Sequence, residues 1–232
     1  MAPTKRILCL HGFVQALKKI GYETVFLTAP VKVETADLPF DVSVKSLGGS
    51  EGGGADEESS MRSWWPNSES SPNYYKLDQA FKAVTDSISE HGPYDGVLGF
   101  SQGAGFAGVL CKHIQNLHQS QPPLRFAILY AGFRLKPQEH QHYYDTKITT
   151  PTLHIVGSLD TVVSEERTSA LFEACGEANR TFLSHPGGHF VPNGKDMVTK
   201  LISWVQNIDA QETQDAKPAA EENWDEFDKI GA

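Results

Sequence analysis

Six short segments of this chain are dominated by apolar residues with little alternation: 6–12 (RILCLHG), 23–30 (ETVFLTAP), 95–100 (DGVLGF), 125–132 (RFAILYAG), 152–157 (TLHIVG) and 180–185 (RTFLSH). A strand with one wet face alternates apolar and polar residues, whereas a short run that is apolar throughout belongs to a strand covered on both faces. Between these runs, 74–91, 103–118, 164–175 and 194–208 carry apolar residues at helical spacing. Strands of this kind separated by helices predict an α/β fold: a mostly parallel sheet with helices on both faces. The 232 residues suffice for one such domain and are too few for two of typical size.

Two stretches fall outside that pattern. GGSEGGGADEESS at 48–60 is Gly-rich and acidic and cannot bury enough apolar surface to order itself. Residues 209–232 are polar and acidic until Trp224 and Phe227. The organisation predicted is one domain over 1–208 with an acidic insert at 48–60, followed by a disordered tail over 209–232. The tail reads as a solvated extension or as a short linear motif whose Trp224, Phe227 and Ile230 dock in the groove of a protein partner.

The formal net charge is -9, with no block of lysine or arginine, which argues against nucleic-acid partners and anionic membrane surfaces. No run approaches the ~18 apolar residues of a membrane span, and the opening MAPTKRILCLHGF lacks the apolar core of a secretory signal. Cys9, Cys111 and Cys175 are odd in number and have no metal-ligand spacing. They read as small core residues of a protein in a reducing compartment, cytoplasmic or nuclear, without metal or cofactor.

The chemistry is carried by Gly99-Phe100-Ser101-Gln102-Gly103. It fits G-x-S-x-G, in which a serine sits on a strained strand-to-helix turn with small residues on either side. As a bare pattern it is weak, and a Gly-rich turn with a capping serine would match it equally well. Its context, a buried strand before and a helical pattern after, raises it to a candidate nucleophile. A serine hydroxyl needs a base and the base an orienting acid, in the chain order Ser, Asp/Glu, His. Asp160 falls just past the strand at 152–157, and His189 falls in the Gly-rich loop after the strand at 180–185. Both lie on the sheet edge that holds Ser101, where ligands gather in open α/β sheets. His185 competes for the role of base but reads as packing. Glu165 and Glu166 could replace Asp160 but read better as first-turn acids of a helix. The oxyanion hole of this template takes the N–H after the nucleophile, Gln102, and one from the loop after the first strand, here Phe13.

LCLHGF, AP…ETADLPF, GPYDGVLGFSQGA and HPGGHFVPN together resemble the FSH family of serine hydrolases, fungal α/β-hydrolases with an animal relative. The resemblance spans residues 5 to about 206. It implies an α/β-hydrolase fold with Ser101 as nucleophile, Asp160 as acid and His189 as base. It also implies carboxylic-ester substrates, which in some relatives are long-chain acyl esters or thioesters of polyketides.

Trp64 or Trp65, in MRSWWPNSESSPNYY, is the candidate wall of the acyl pocket, and the short segment 133–151 leaves room for only a minimal lid. The chain departs from the family after HGFVQ, where relatives carry a longer segment and a full helix. A parallel crossover needs a dozen or more residues, and Gly12 to Tyr22 is at or below that minimum. The expectation is one helical turn at Ala16 to Ile20 and an under-covered sheet face beside the first strand. The function predicted is hydrolysis of a small-molecule ester through an acyl-enzyme. The alternatives are a thioesterase, since GFSQG also resembles acyl-protein thioesterases, and a silent hydrolase-fold binding protein.

Overall fold

A computed structural model describes residues 4–10, 15–32, 62–66 and 75–215. All six predicted strands form, as β1 (Lys5–Cys9), β2 (Tyr22–Phe26), β5 (Gly96–Phe100), β6 (Phe126–Tyr130), β7 (Thr152–Gly157) and β8 (Arg180–His185). They make one sheet in the order β2-β1-β5-β6-β7-β8, and every neighbouring pair is parallel. A second, antiparallel pair, β3 (Val31–Lys32) with β4 (Arg62–Ser63), is two residues long on each side and leaves no periodic signal in the sequence.

Burial explains which strands read clearly. The central strands β6 and β7 are buried at every position, which a sheet covered on both faces requires. The edge strand β8 exposes alternate residues, among them Phe182. The helices are α1 (Asp78–His91), α2 (Gln102–His113), α3 (Glu165–Ala174) and α4 (Lys195–Asp215). In α1 the buried residues Ala80, Val84, Ser87 and Ile88 recur at helical spacing, so a single stripe meets the sheet. Buried residues of α1, α2 and α3 share one core with Leu8, Val97 and Leu129. Met197, Leu201, Val205 and Ile208 of α4 form the other core with Ile7, Leu98 and Ile128. The two faces of the sheet thus carry the two cores.

The expected bare patch beside β1 is not there. The link between β1 and β2 contains a six-residue 3-10 helix, Gln15–Ile20. Its Leu17 is fully buried in the core that α4 closes, and Ile7 and Cys9 of β1 have 0% exposure. A 3-10 helix rises about 2.0 Å per residue against 1.5 Å for an α-helix. The tighter coil therefore spans the crossover with fewer residues, and the long C-terminal helix supplies the rest of the cover.

The boundary expected at 208/209 also moves, because α4 continues to Asp215. Asp209 is tied into the domain: its carboxylate accepts from Arg125 at 2.7 Å and Tyr22 at 2.8 Å and pairs with Lys5 at 3.1 Å. The polar stretch it opens hides this in the sequence, since its partners sit on β1, β2 and just before β6. The tail from 216, with Trp224, Phe227 and Ile230, and the insert at 48–60 lie outside the described residues.

Asp209 gives a stability prediction. Burial pushes its carboxyl up, but hydrogen bonds from Tyr22, Lys5 and Arg125 outweigh that and hold it below the usual carboxylate range. A depressed folded-state pKa contributes stability that is present above the unfolded value, about 3.9, and is lost as pH falls through the folded one. Asp209→Asn is expected to cost roughly 2 kcal/mol at neutral pH, with the gap to wild type closing below about pH 4. Denaturant melts across pH read this out; a gap that persists unchanged at pH 2.5 would refute the assignment.

Candidate active site

The chain runs from β1 outward to β2, then returns to β1's other side as β5 and continues to β8. Strand order therefore reverses at β1 and β5, and open α/β sheets bind ligands beyond the carboxyl ends of their strands at such a point. A cleft of about 430 Å³ lies there, reached by Leu10 after β1, Phe26 at the end of β2 and Phe100 at the end of β5. Ser101 and His189 both line it.

Ser101 sits between β5 and α2 with φ 54° and ψ -118°, a backbone region that costs a non-glycine residue of order 1–3 kcal/mol. The strain is held from both sides. The Ser101 N–H donates to the Tyr130 carbonyl at 2.8 Å, and its carbonyl accepts from Ala104 and Gly105 at 3.0 Å. Glycines are required around it for lack of space: a Cβ on Gly99 would lie 2.3 Å from the Gly103 carbonyl oxygen, and one on Gly103 would lie 2.8 Å from that of Leu10. The hydroxyl is thereby turned out of the sheet.

The loops after β7 and β8 are stitched to each other. Ser158 N–H donates to the His185 carbonyl at 2.9 Å, and Leu159 N–H donates to that of Gly187 at 3.0 Å. This brings Asp160 and His189 together from 29 residues apart in sequence. His189 Nδ1 lies 2.8 Å from Asp160 Oδ2, and its Nε2 lies 3.0 Å from Ser101 Oγ. The imidazole is steadied by the Phe100 ring, 4.7 Å away between centroids. Asp160's side chain is 2% exposed, and its Oδ1 accepts the N–H groups of Val162 and Val163, each at 2.9 Å. Burial alone would raise its carboxyl, but the bonds from His189, Val163 and Val162 prevail and keep it below the ordinary range. An ionised Asp160 facing Nδ1 favours the tautomer that leaves Nε2 free to accept the serine proton.

The competing residues are elsewhere. His185 ends β8, is buried against the Phe190 ring, and is held below its ordinary pKa by burial, only partly opposed by Asp160. Glu165 and Glu166 occupy the first turn of α3. Cys9 reaches the cleft, but burial pushes its thiol up to about 12, which removes it as a rival nucleophile at neutral pH. Among the described residues no group of three His, Cys, Asp or Glu is placed to hold a metal ion. Gln102 opens α2, so its N–H has no carbonyl partner within the helix. Phe13 lies outside the described residues.

The two tryptophans separate. Trp64 lines the cleft and stacks on Phe106, with ring centroids 5.2 Å apart. Trp65 does not line it: it is fully buried, stacked on Tyr75 and edge-on to Phe133, a core position that corrects its pairing with Trp64 as pocket wall. Sequence reasoning missed the side chain of Gln102. Its Oε1 accepts the Trp64 N–H at 2.6 Å and its Nε2 donates to the Trp65 carbonyl at 3.0 Å. The residue after the serine thus fastens the cleft wall to the turn, a contact across 38 positions that no local pattern signals. Phe26 and Arg62, which also line the cleft, were missed for the same reason.

A parallel sheet with a strained serine turn at its switch point defines an α/β-hydrolase. Solved structures agree in fold: esterase PE8 aligns with a TM-score of 0.56 at 16% identity, covering 89% of this chain and 94% of that one. Zea mays acyl-protein thioesterase 2 aligns at 0.54 and 18% identity, covering 88% of this chain and 94% of its own. Within that class the chain belongs to the FSH1 serine hydrolase family, whose model matches residues 1–201. Family of serine hydrolases 3 from Saccharomyces cerevisiae is 36% identical, spanning 99% of this chain and 94% of that protein. Esterase OVCA2 of Danio rerio is 34% identical over 81% of this chain and 90% of its own length. The yeast alignment runs over 249 positions, more than the 232 residues here, so that relative has residues without a counterpart in this chain.

Proposed function

We propose that this hydrolase cleaves carboxylic esters through an acyl-enzyme on Ser101. His189 Nε2 takes the Ser101 proton as Oγ attacks the ester carbonyl, then returns it to the departing alkoxide. Asp160 holds the imidazole and stabilises its cationic form. The oxyanion of the tetrahedral intermediate is received by the N–H of Gln102 and, in this reading, that of Phe13. Water, deprotonated by the same histidine, then releases the acid. The observation that carries the reading is the unbroken chain Ser101–His189–Asp160, at 3.0 and 2.8 Å, opening on a cleft. The esterase names of relatives such as that of Danio rerio favour ester substrates. A thioester would enter by the same first step.

Location belongs to the same reading. Cys9, Cys111 and Cys175 are all buried and unbridged, which fits a reducing compartment, cytoplasmic or nuclear. Among the described residues no helix is long and apolar enough to cross a membrane. The test of function is covalent labelling with a fluorophosphonate followed by peptide mass mapping, beside a panel of matched esters and thioesters. Modification at Ser101 with ester turnover is expected. An unlabelled, folded protein would mean a silent binding module.

A further inference from the structure

One feature of the cleft is not needed for acyl transfer: a cation at its wall. The described side chains around Ser101 are mainly apolar, with Phe26, Leu27, Ala29, Trp64 and Phe100 among them, and none of those described is a carboxylate. Arg62 lines the cleft as well. Its one hydrogen bond among the described residues is long, Nη1 to the Pro30 carbonyl at 3.4 Å. A guanidinium has five N–H donors in a fork that matches an oxyanion. Most of that capacity is unspent.

A second observation points the same way. In the β3–β4 pair Arg62 stands directly opposite Lys32. Opposed residues of an antiparallel pair project on one face with Cβ atoms about 4.5–5.5 Å apart, and like charges there destabilise the pair. Neither cation has an acidic partner among the described residues. The strand is also held in place: Trp64, two residues on, is fastened by its N–H to Gln102 beside the nucleophile. A local charge conflict, fixed at a functional cleft, is relieved when an anion binds.

We propose that Arg62, with Lys32 beside it, is an anion subsite of the Ser101 cleft, and that the substrate is an ester or thioester bearing an ionised carboxylate or phosphate. This rests on the hydrolase reading of that cleft. Two matched pairs test it: the 4-nitrophenyl monoester of suberic acid against its methyl-capped diester, and a butyryl thioester of coenzyme A against that of N-acetylcysteamine. Wild type is expected to favour the anionic member of one pair by at least about tenfold in kcat/KM, less so at raised salt. The pair that responds says whether the anion is an acyl-side carboxylate or a leaving-group phosphate. Arg62→Leu should bring that ratio close to one, and Arg62→Lys should retain part of it. Because each ratio is taken within one protein, a partly unfolded variant does not distort it. Ratios near one in wild type for both pairs, or a preference that Arg62→Leu leaves intact, would overturn the subsite. Calorimetric binding of the same four compounds to Ser101→Ala separates the two layers. Tighter binding of an anionic member without wild-type turnover would sink the hydrolase reading and keep the subsite; equal binding within both pairs would sink the subsite.

Discussion

Replacing Ser101 with alanine is expected to lower kcat on an activated ester by at least about 10⁴-fold, toward the 10⁶ seen when a serine nucleophile is removed from such a relay. Chemistry alone should be lost. The Ser101 side chain makes no capping bond to α2, and among the described residues its one hydrogen bond is to His189. The turn is held instead by backbone bonds to Tyr130, Ala104 and Gly105 and by the closeness of Gly99 to Gly103. Melting temperature and far-ultraviolet circular dichroism should therefore match wild type. Ser101→Gly makes the backbone argument separately: at φ 54° it relieves strain, so it should be as inactive as alanine yet slightly more stable. Residual turnover above about a hundredth of wild type in a purified Ser101→Ala sample would show that the nucleophile lies elsewhere.

The second large effect divides the base from the acid. On the proposed relay, His189→Ala removes the proton acceptor and should approach the serine variant in severity. Asp160→Asn should cost about 10⁴-fold or somewhat less, because it acts only through the imidazole. The asparagine keeps an oxygen for the N–H groups of Val162 and Val163, so the loop persists. Its amide faces Nδ1 where an ionised oxygen stood, and the ring is driven to the tautomer whose Nε2 carries a proton and cannot accept one from Ser101. His185→Ala is the control. That ring is buried against Phe190, so its loss should lower the melting temperature more than the turnover. A folded His185→Ala variant as inactive as His189→Ala would transfer the role of base.

Neighbouring residues specify the strands and the elbow, which is why both are legible in the chain. A strand buried on two faces is mostly apolar, so β5, β6 and β7 are legible one by one, even though β7 carries the buried Thr152 and His154. Gly99 is forced by its contact with Gly103, four residues on, which a local motif records, whereas Gly103 is forced by the remote Leu10 carbonyl. Asp160 and His189 were placed on one edge by strand direction alone, since every strand of a parallel sheet ends on the same side. Other features depend on partners remote in sequence. The cover over β1 depends on a 3-10 helix meeting α4, so counting crossover residues misjudged it. Asp209 reads as tail because it opens a polar stretch with Gln211 and Glu212, yet Tyr22 and Arg125 claim it from 187 and 84 residues away. Trp64 and Trp65 are chemically identical neighbours at the bend that follows β4, and both are buried in one core. Of the two, Trp64 also reaches the cleft, where the Gln102 side chain, remote in sequence, accepts its N–H and donates to the Trp65 carbonyl. Local physics writes periodicity and turn chemistry into the chain, whereas long-range pairing leaves no mark on either partner's neighbours.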